Sequence, residues 1–219
     1  MQGLVQAAVI AVVGIDTEVG KTIVTGLCAR ELAAAGRRVI TQKLVQTGCT
    51  GISMDIQQHR ALQGIPLLPE DKAGLTCRYV YPYPCSPHMA ADLADERINS
   101  QLIIQDTQSL LKSYDLVLLE AAGGLAVPLT QEMTILDYLQ EQGYPVILVS
   151  SAKLGSINHT VLSLQACAAA RIPVLRLVYN RYPKHDPLIA QYTEDYFQRY
   201  LLQHSPDTQF HVLDRVGIS

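Results

Sequence analysis

The chain has 219 residues, of which 48% are hydrophobic and 17% charged; this excludes global disorder and leaves ample apolar side chain for a core. A formal net charge of −3 gives no electrostatic footprint for nucleic acid or an anionic membrane surface, and no stretch approaches the roughly 18 apolar residues that span a bilayer. No Pro/Ser/Gly-rich linker divides the chain, so one α/β domain over residues 1–219 is expected; with no basic stretch ahead of the N-terminal apolar run, the location expected is cytoplasmic.

In chain order, residues 7–13 (AAVIAVV) form an apolar run too short for an independent helix and read as a strand buried on both faces. The loop GIDTEVGKT follows. Residues 20–35 then carry apolar side chains at helical spacing, stopped by Gly36, and VITQKLVQTG (39–48) reads as the next strand. This is the opening of a parallel βαβ unit. Residues 44–112 make a longer connection, within which YVYPYPCSPH looks like a loop before a helix that starts with Pro87 at its first position. SYDLVLLEAAGG (113–124) and YPVILVSSAKLG (144–155) are further strands, each running into small residues and glycine. A helix is expected over 157–170, a strand over 172–183, and an amphipathic helix over 188–203 with Leu, Ile, Tyr and Phe on one face. Strands alternating with helices imply a mainly parallel, doubly wound sheet, whose ligands bind at the carboxyl ends of the strands.

The five cysteines are widely spaced without a C-x-x-C pair, which speaks for free thiols rather than disulfides or zinc. The six histidines form no H-x-x-x-H or H-E-x-x-H pattern.

Four polar or glycine-rich loops fall at the expected ligand edge: GIDTEVGKT, QKLVQTG, LEAAGG and SSAKLGSIN. Gly20-Lys21-Thr22 ends like a phosphate-binding loop, although Ile15 stands where that motif places its first glycine, with Gly14 one position earlier. Amides at a helix start bind anions, lysine reaches the outer phosphates, and the threonine hydroxyl can ligate Mg²⁺; the plain alternative is a glycine turn with a solvated lysine. Glu120 ends an apolar strand, where a carboxylate is costly unless paired or metal-bound. Asp55 is a second candidate oxygen donor or, alternatively, a loop cap. Lys43 either enters a site or snorkels to the surface, and the amides that open the helix after Lys153 can bind a carboxylate or phosphate. Ser86 and His88 lack a nucleophile elbow or a partner acid and read as part of a helix start.

In this order, GIDTEVGKT, K-x-V-x-T-G, SPH, E-x-AGG-x-x-x-P-L and KLGSINH closely resemble the dethiobiotin synthetase family, over about residues 8–182. The resemblance implies a P-loop NTPase-like fold, a homodimer, ATP with Mg²⁺, and a reaction of 7,8-diaminopelargonic acid with CO₂ or bicarbonate. By the same resemblance, Asp16, Thr17, Glu18, Val19, Gly20, Lys21 and Thr22 would hold the triphosphate, Gly123 would lie beside it, and Glu18, Thr17, Lys21 and Lys43 would stand near the reacting groups. Thr22, Asp55 and Glu120 would hold Mg²⁺. Lys43 and Thr47 would face the carbamate side of the substrate. Gly155, Ser156 and Asn158 of a second subunit would take its carboxylate, Tyr192 would lie near its tail, and Asn180 would read adenine. The sequence departs from the family at Leu44 (usually proline), at Ala121 (commonly glycine), and in TQFHVLDRVGIS, which lacks a proline-containing loop that helps enclose the nucleoside.

A different class, a ParA/MinD-like ATPase switch, remains the alternative. Those proteins carry a second lysine where Asp16 stands, and aspartate cannot supply that charge. A related amide-forming synthetase would need a glutamine-hydrolysing domain, for which the chain has no room.

Overall fold

The computed structural model describes residues 7–182 and 186–214. Its main sheet contains β1 (Val9–Gly14), β2 (Val39–Lys43), β5 (Leu116–Gly124), β6 (Val146–Ser151), β7 (Val174–Asn180) and β8 (Gln209–Leu213), in the order β2-β5-β1-β6-β7-β8 with every pairing parallel. A second, two-stranded parallel sheet pairs β3 (Gln46–Thr47) with β4 (Val80–Tyr81). The helices are α1 (Lys21–Ala34), α2 (Met54–Gln63), α3 (Pro69–Lys72), α4 (Pro87–Leu93), α5 (Ser100–Leu110), α6 (Ile135–Gln142), α7 (Ser156–Ala169) and α8 (Pro187–His204).

The apolar run at the N-terminus becomes the central strand. Every residue of β1 is buried, and its side chains alternate between two cores. Ile10 and Val12 pack with Val24, Cys28 and Leu32 of α1, whereas Val9, Ala11 and Val13 face the opposite core with Tyr138, Leu164 and Phe197. A strand covered on both faces has no polar side to alternate with, which is why it reads as a continuous apolar run. Gly36, at φ +86°, ends α1 as expected, and the Arg37 amide bonds back to Leu32 O at 3.1 Å.

Two expectations need correction. The run 39–48 is two strands, because the ladder to β5 ends at the Lys43–Glu120 pair and Gln46–Thr47 then pairs with β4. On α8 the apolar residues do not share one face: Phe197 and Leu201 are buried with Ala190 and Thr193, while Leu188, Ile189 and Tyr192 are exposed. The long connection 44–112 holds four helices and two short strands, and α4 starts at Pro87 as expected. The tail of the 172–183 strand expectation (Pro183), the opening residues 1–6 and the terminal residues 215–219 lie outside the described residues.

Away from the ligand edge, the Arg60 side chain of α2 is fully buried and forks onto Asp71 with bonds of 2.9 and 2.8 Å. Asp71 also accepts from the Leu68 amide and Thr76 Oγ1, so the buried charge is paired and hydrogen-bonded on all sides. That pair ties α2 to the segment that follows it.

Candidate active site

At the carboxyl end of β1 the chain turns through residues 15–20 into the N-terminus of α1. Asp16 shapes this turn, since its Oδ1 accepts the Thr17 amide at 2.8 Å, and its main-chain oxygen accepts from Lys21 Nζ at 2.9 Å. The displaced Gly14 has a steric reason. A Cβ there would stand 2.8 Å from Val19 Cγ2 and 3.0 Å from Lys21 Nζ, so the lysine folds back across a position only glycine leaves open. Glu18 adopts φ +55°, rare for a non-glycine residue, and Gly20 sits at φ +98°. Such unfavourable backbone persists where the surrounding structure holds it.

The loop is tied down from the far side of the sheet. Asn180, the last residue of β7, donates from Nδ2 to Val19 O at 3.0 Å, and its Oδ1 accepts from the Tyr182 amide at 3.0 Å.

Beside the loop, β2 and β5 bring Lys43 and Glu120 into direct register. Lys43 Nζ lies 2.8 Å from Glu120 Oε1 and 2.6 Å from Asp55 Oδ2, so the lysine is buried in an ion-paired cluster and does not snorkel. Thr22 Oγ1 is 3.0 Å from Glu120 Oε1 and 3.2 Å from Asp55 Oδ1. Glu120 is almost fully buried, and its other oxygen, Oε2, meets His59 Nε2 at 2.7 Å. Burial alone would push the Glu120 carboxyl up, yet Lys43 and His59 outweigh it and hold the group well below the usual carboxylate range. For Lys43 burial opposes the charge, but Glu120 and Asp55 hold its pKa above the ordinary lysine value. Lys21 has no such pair of carboxylates in contact: burial, then repulsion from Lys43, lowers it to about 8. Arriving phosphate charge would favour its ammonium form.

These residues line one cleft of about 790 Å³. Thr17, Glu18, Gly20, Lys21 and Thr22 come from the loop and the start of α1, with Lys43, Thr47, Asp55, Glu120 and Gly123 around them. Pro84, Ser86 and Pro87, at the start of α4, form the facing wall. The donors fit a hard cation: one hydroxyl and two carboxylates converge, and Mg²⁺ is commonly held by one or two carboxylates plus phosphate and water. Among the described residues no group of three His, Cys, Asp or Glu is arranged to chelate a metal without such help.

Gly155, Ser156 and Tyr192 do not line this cleft, although Ser156 and Lys153 share a smaller cavity of about 230 Å³ with Asp16, Thr17, Glu18 and Val19 of the loop. All three line a separate cavity of about 580 Å³ between the start of α7 and α8. Leu154, Leu188 and Tyr192 are exposed there by 82%, 67% and 68%, an apolar surface far larger than the site's polar groups require. Asn158 is exposed on the first turn of α7. His59 escaped the sequence reading because its partner lies 61 residues away and no local motif marks it.

A parallel sheet with an anion-receptive loop after its central strand, a buried lysine where that loop enters α1, and a threonine facing one carboxylate on β5 and one on α2 defines a P-loop nucleotide-binding protein. The fold is similar to that of FlhF complexed with GMPPNP and Mg²⁺ (TM-score 0.54, 15% identity, covering 97% of this chain and 67% of that one). It is also similar to pNOB8 ParA bound to nonspecific DNA (TM-score 0.55, 15% identity, 94% and 78%). At such identities the likeness concerns fold alone.

Sequence relationships are narrower. A family model described as an AAA domain matches residues 8–209. The chain is 52% identical over 212 residues to the ATP-dependent dethiobiotin synthetase BioD 2 of Pasteurella multocida (strain Pm70), covering 97% of this chain and 100% of that relative. It is also 52% identical over 192 residues to the ATP-dependent dethiobiotin synthetase BioD of Chlorobaculum tepidum, covering 88% and 80%. The chain belongs to the ATP-dependent dethiobiotin synthetase family, a family of ligases in biotin biosynthesis.

Proposed function

We propose that the protein uses ATP and Mg²⁺ to join 7,8-diaminopelargonic acid with CO₂ or bicarbonate, closing the cyclic urea of dethiobiotin and releasing ADP and phosphate. The observation that carries this reading is the single cleft in which Lys21, Thr22, Lys43, Asp55 and Glu120 converge, in a chain of this family. In this scheme one substrate amine takes up CO₂ and loses a proton, giving a carbamate. A carbamate oxygen attacks the γ-phosphorus of ATP and ADP leaves. The neighbouring amine then attacks the mixed anhydride, its proton is lost, and phosphate departs as the ring closes. No covalent enzyme intermediate is needed, so the protein's contribution is positioning and charge.

Each residue has a role in that scheme. Amides of residues 16–22 at the start of α1 hold the triphosphate, and Lys21 spans its outer phosphates. Thr17 and Glu18 stand beside the transferred group and the amines. Lys43 and Thr47 face the carbamate, where a buried ammonium offsets negative charge. Thr22, Asp55 and Glu120 would hold Mg²⁺, which when bound screens charge on the phosphates. Asn180 has one amide hydrogen and one carbonyl lone pair beyond its bonds to Val19 and Tyr182, enough to read adenine.

Gly155, Ser156, Asn158 and Tyr192 would act on the substrate carboxylate and tail across a homodimer interface. The exposed Leu154, Leu188 and Tyr192 beside these residues support that assignment.

Purified protein should release ADP only when diaminopelargonate and bicarbonate are both present. Lys21→Ala should lose this activity while remaining folded; a fully active Lys21→Ala protein would remove the loop from the scheme. DNA- or lipid-stimulated hydrolysis would instead favour a partition-type switch, against which Asp16 already stands.

A further inference from the structure

His59 is a fully buried group in contact with the site residues that the scheme above leaves unused. It lies on α2 one turn after Asp55, so both side chains leave the same face of the helix, toward Glu120. Gly26 of α1 lets α2 come this close: a Cβ on it would meet Leu62 Cδ1 at 2.6 Å and the His59 Cα at 3.3 Å. His59 Nε2 sits 2.7 Å from Glu120 Oε2. In that contact the carboxylate oxygen is the acceptor and the ring nitrogen facing it the donor.

The other ring nitrogen points to the cost of this arrangement. His59 Nδ1 is buried with no hydrogen-bond partner among the described residues. An unsatisfied buried polar atom is a cost, so the imidazole is kept for what its other nitrogen does for Glu120 Oε2, which an apolar side chain would leave without a donor. The two oxygens of Glu120 are divided between different neighbours. Oε2 is held by His59, and Oε1 faces Lys43 Nζ and Thr22 Oγ1. Rotation of the carboxylate would move Oε1 off the line shared with Thr22 and Asp55.

We propose that His59 is a positioning residue that locks Glu120 with Oε1 facing the metal–phosphate side, so that metal affinity rather than fold is what it sets. This rests on the assignment of Thr22, Asp55 and Glu120 to Mg²⁺ made above. Histidine-to-carboxylate partners behind metal ligands alter metal affinity by about 10–100-fold when removed.

The test is ADP binding by calorimetry, in EDTA and in MgCl₂, for the wild type, His59→Leu and His59→Gln. Wild-type protein should bind ADP more tightly with Mg²⁺. His59→Leu should keep its affinity in EDTA but lose about 10–100-fold of the Mg²⁺-dependent tightening. His59→Gln, whose amide can still donate to Oε2, should recover most of it. If wild-type protein itself shows no Mg²⁺ effect, the metal assignment fails. If the wild type does and His59→Leu tightens equally, or His59→Gln does no better than leucine, the positioning role is overturned. Should His59→Leu melt before the binding temperature, His59→Asn, too short to reach Oε2, is read in its place with the same outcomes.

Discussion

Replacing Gly20 with alanine tests how the phosphate loop is held. At φ +98° an L side chain is strained, which costs about 1–2 kcal/mol. The added Cβ would also stand 2.4 Å from Asn180 Nδ2, closer than any real contact, so the asparagine amide must withdraw from Val19 O. Losing that buried bond costs about 1–3 kcal/mol more, giving a total of roughly 2–5 kcal/mol. In a chain of this size that corresponds to a fall in Tm on the order of 10 °C. The two terms separate in a double-mutant cycle measured by urea unfolding without nucleotide. Asn180→Ala alone should cost the bond to Val19 O together with the one from the Tyr182 amide. Gly20→Ala made in the Asn180→Ala background should cost only the backbone strain, because the clashing atoms are gone. The coupling should therefore be about 1–3 kcal/mol, with the double variant more stable than additivity predicts. Strict additivity, within about 0.5 kcal/mol, would refute the claim that Gly20 is required by its contact with Asn180.

Asp71→Asn breaks the buried pair with Arg60 and should destabilise the protein by about 3–5 kcal/mol at neutral pH, measured by denaturant unfolding. Burial raises the Asp71 pKa, but Arg60, the Leu68 amide and Thr76 outweigh it and hold it below the ordinary value. The stabilisation is therefore complete above the unfolded pKa of about 4 and is lost as pH falls through the depressed native value, so the gap between wild type and variant should narrow only below about pH 4. The thiols should divide by burial. Burial pushes Cys28 up to about 11, and Cys77 and Cys167 up to about 12, and it also raises Cys85, so at mildly alkaline pH a disulfide reagent should react fastest with Cys49, more slowly with Cys85, and with all five cysteines only in urea. Cys85 lines the main cleft, and ATP should slow its modification; fast native labelling of all five would contradict this burial pattern.

The elements that carried local signals were legible in the sequence. β1 announced itself as an apolar run, the loop and α1 by glycine, lysine and helical spacing, and Glu120 by the anomaly of a carboxylate on a buried strand. The groups whose meaning depends on distant partners were not legible. Lys43 could have been a surface lysine until the β2–β5 register set it opposite Glu120. His59 had a clue in its four-residue spacing from Asp55, but that clue has meaning only once α2 is recognised, and α2 lay inside a stretch read as a long connection. The faces of α8 were misread for a related reason. Helical periodicity locates apolar side chains without saying that Phe197 packs beneath Tyr179 while Leu188 and Tyr192 remain exposed. Exposure of that second apolar face is what a homodimer would explain.

Isotopically labelled bicarbonate tests the central claim most directly. Incubated with the protein, ATP, Mg²⁺ and diaminopelargonate, it should yield dethiobiotin carrying the label at the ureido carbon, with one ADP and one phosphate released per product. Hydrolysis of ATP at the same rate without diaminopelargonate or bicarbonate, and with no labelled product, would contradict it.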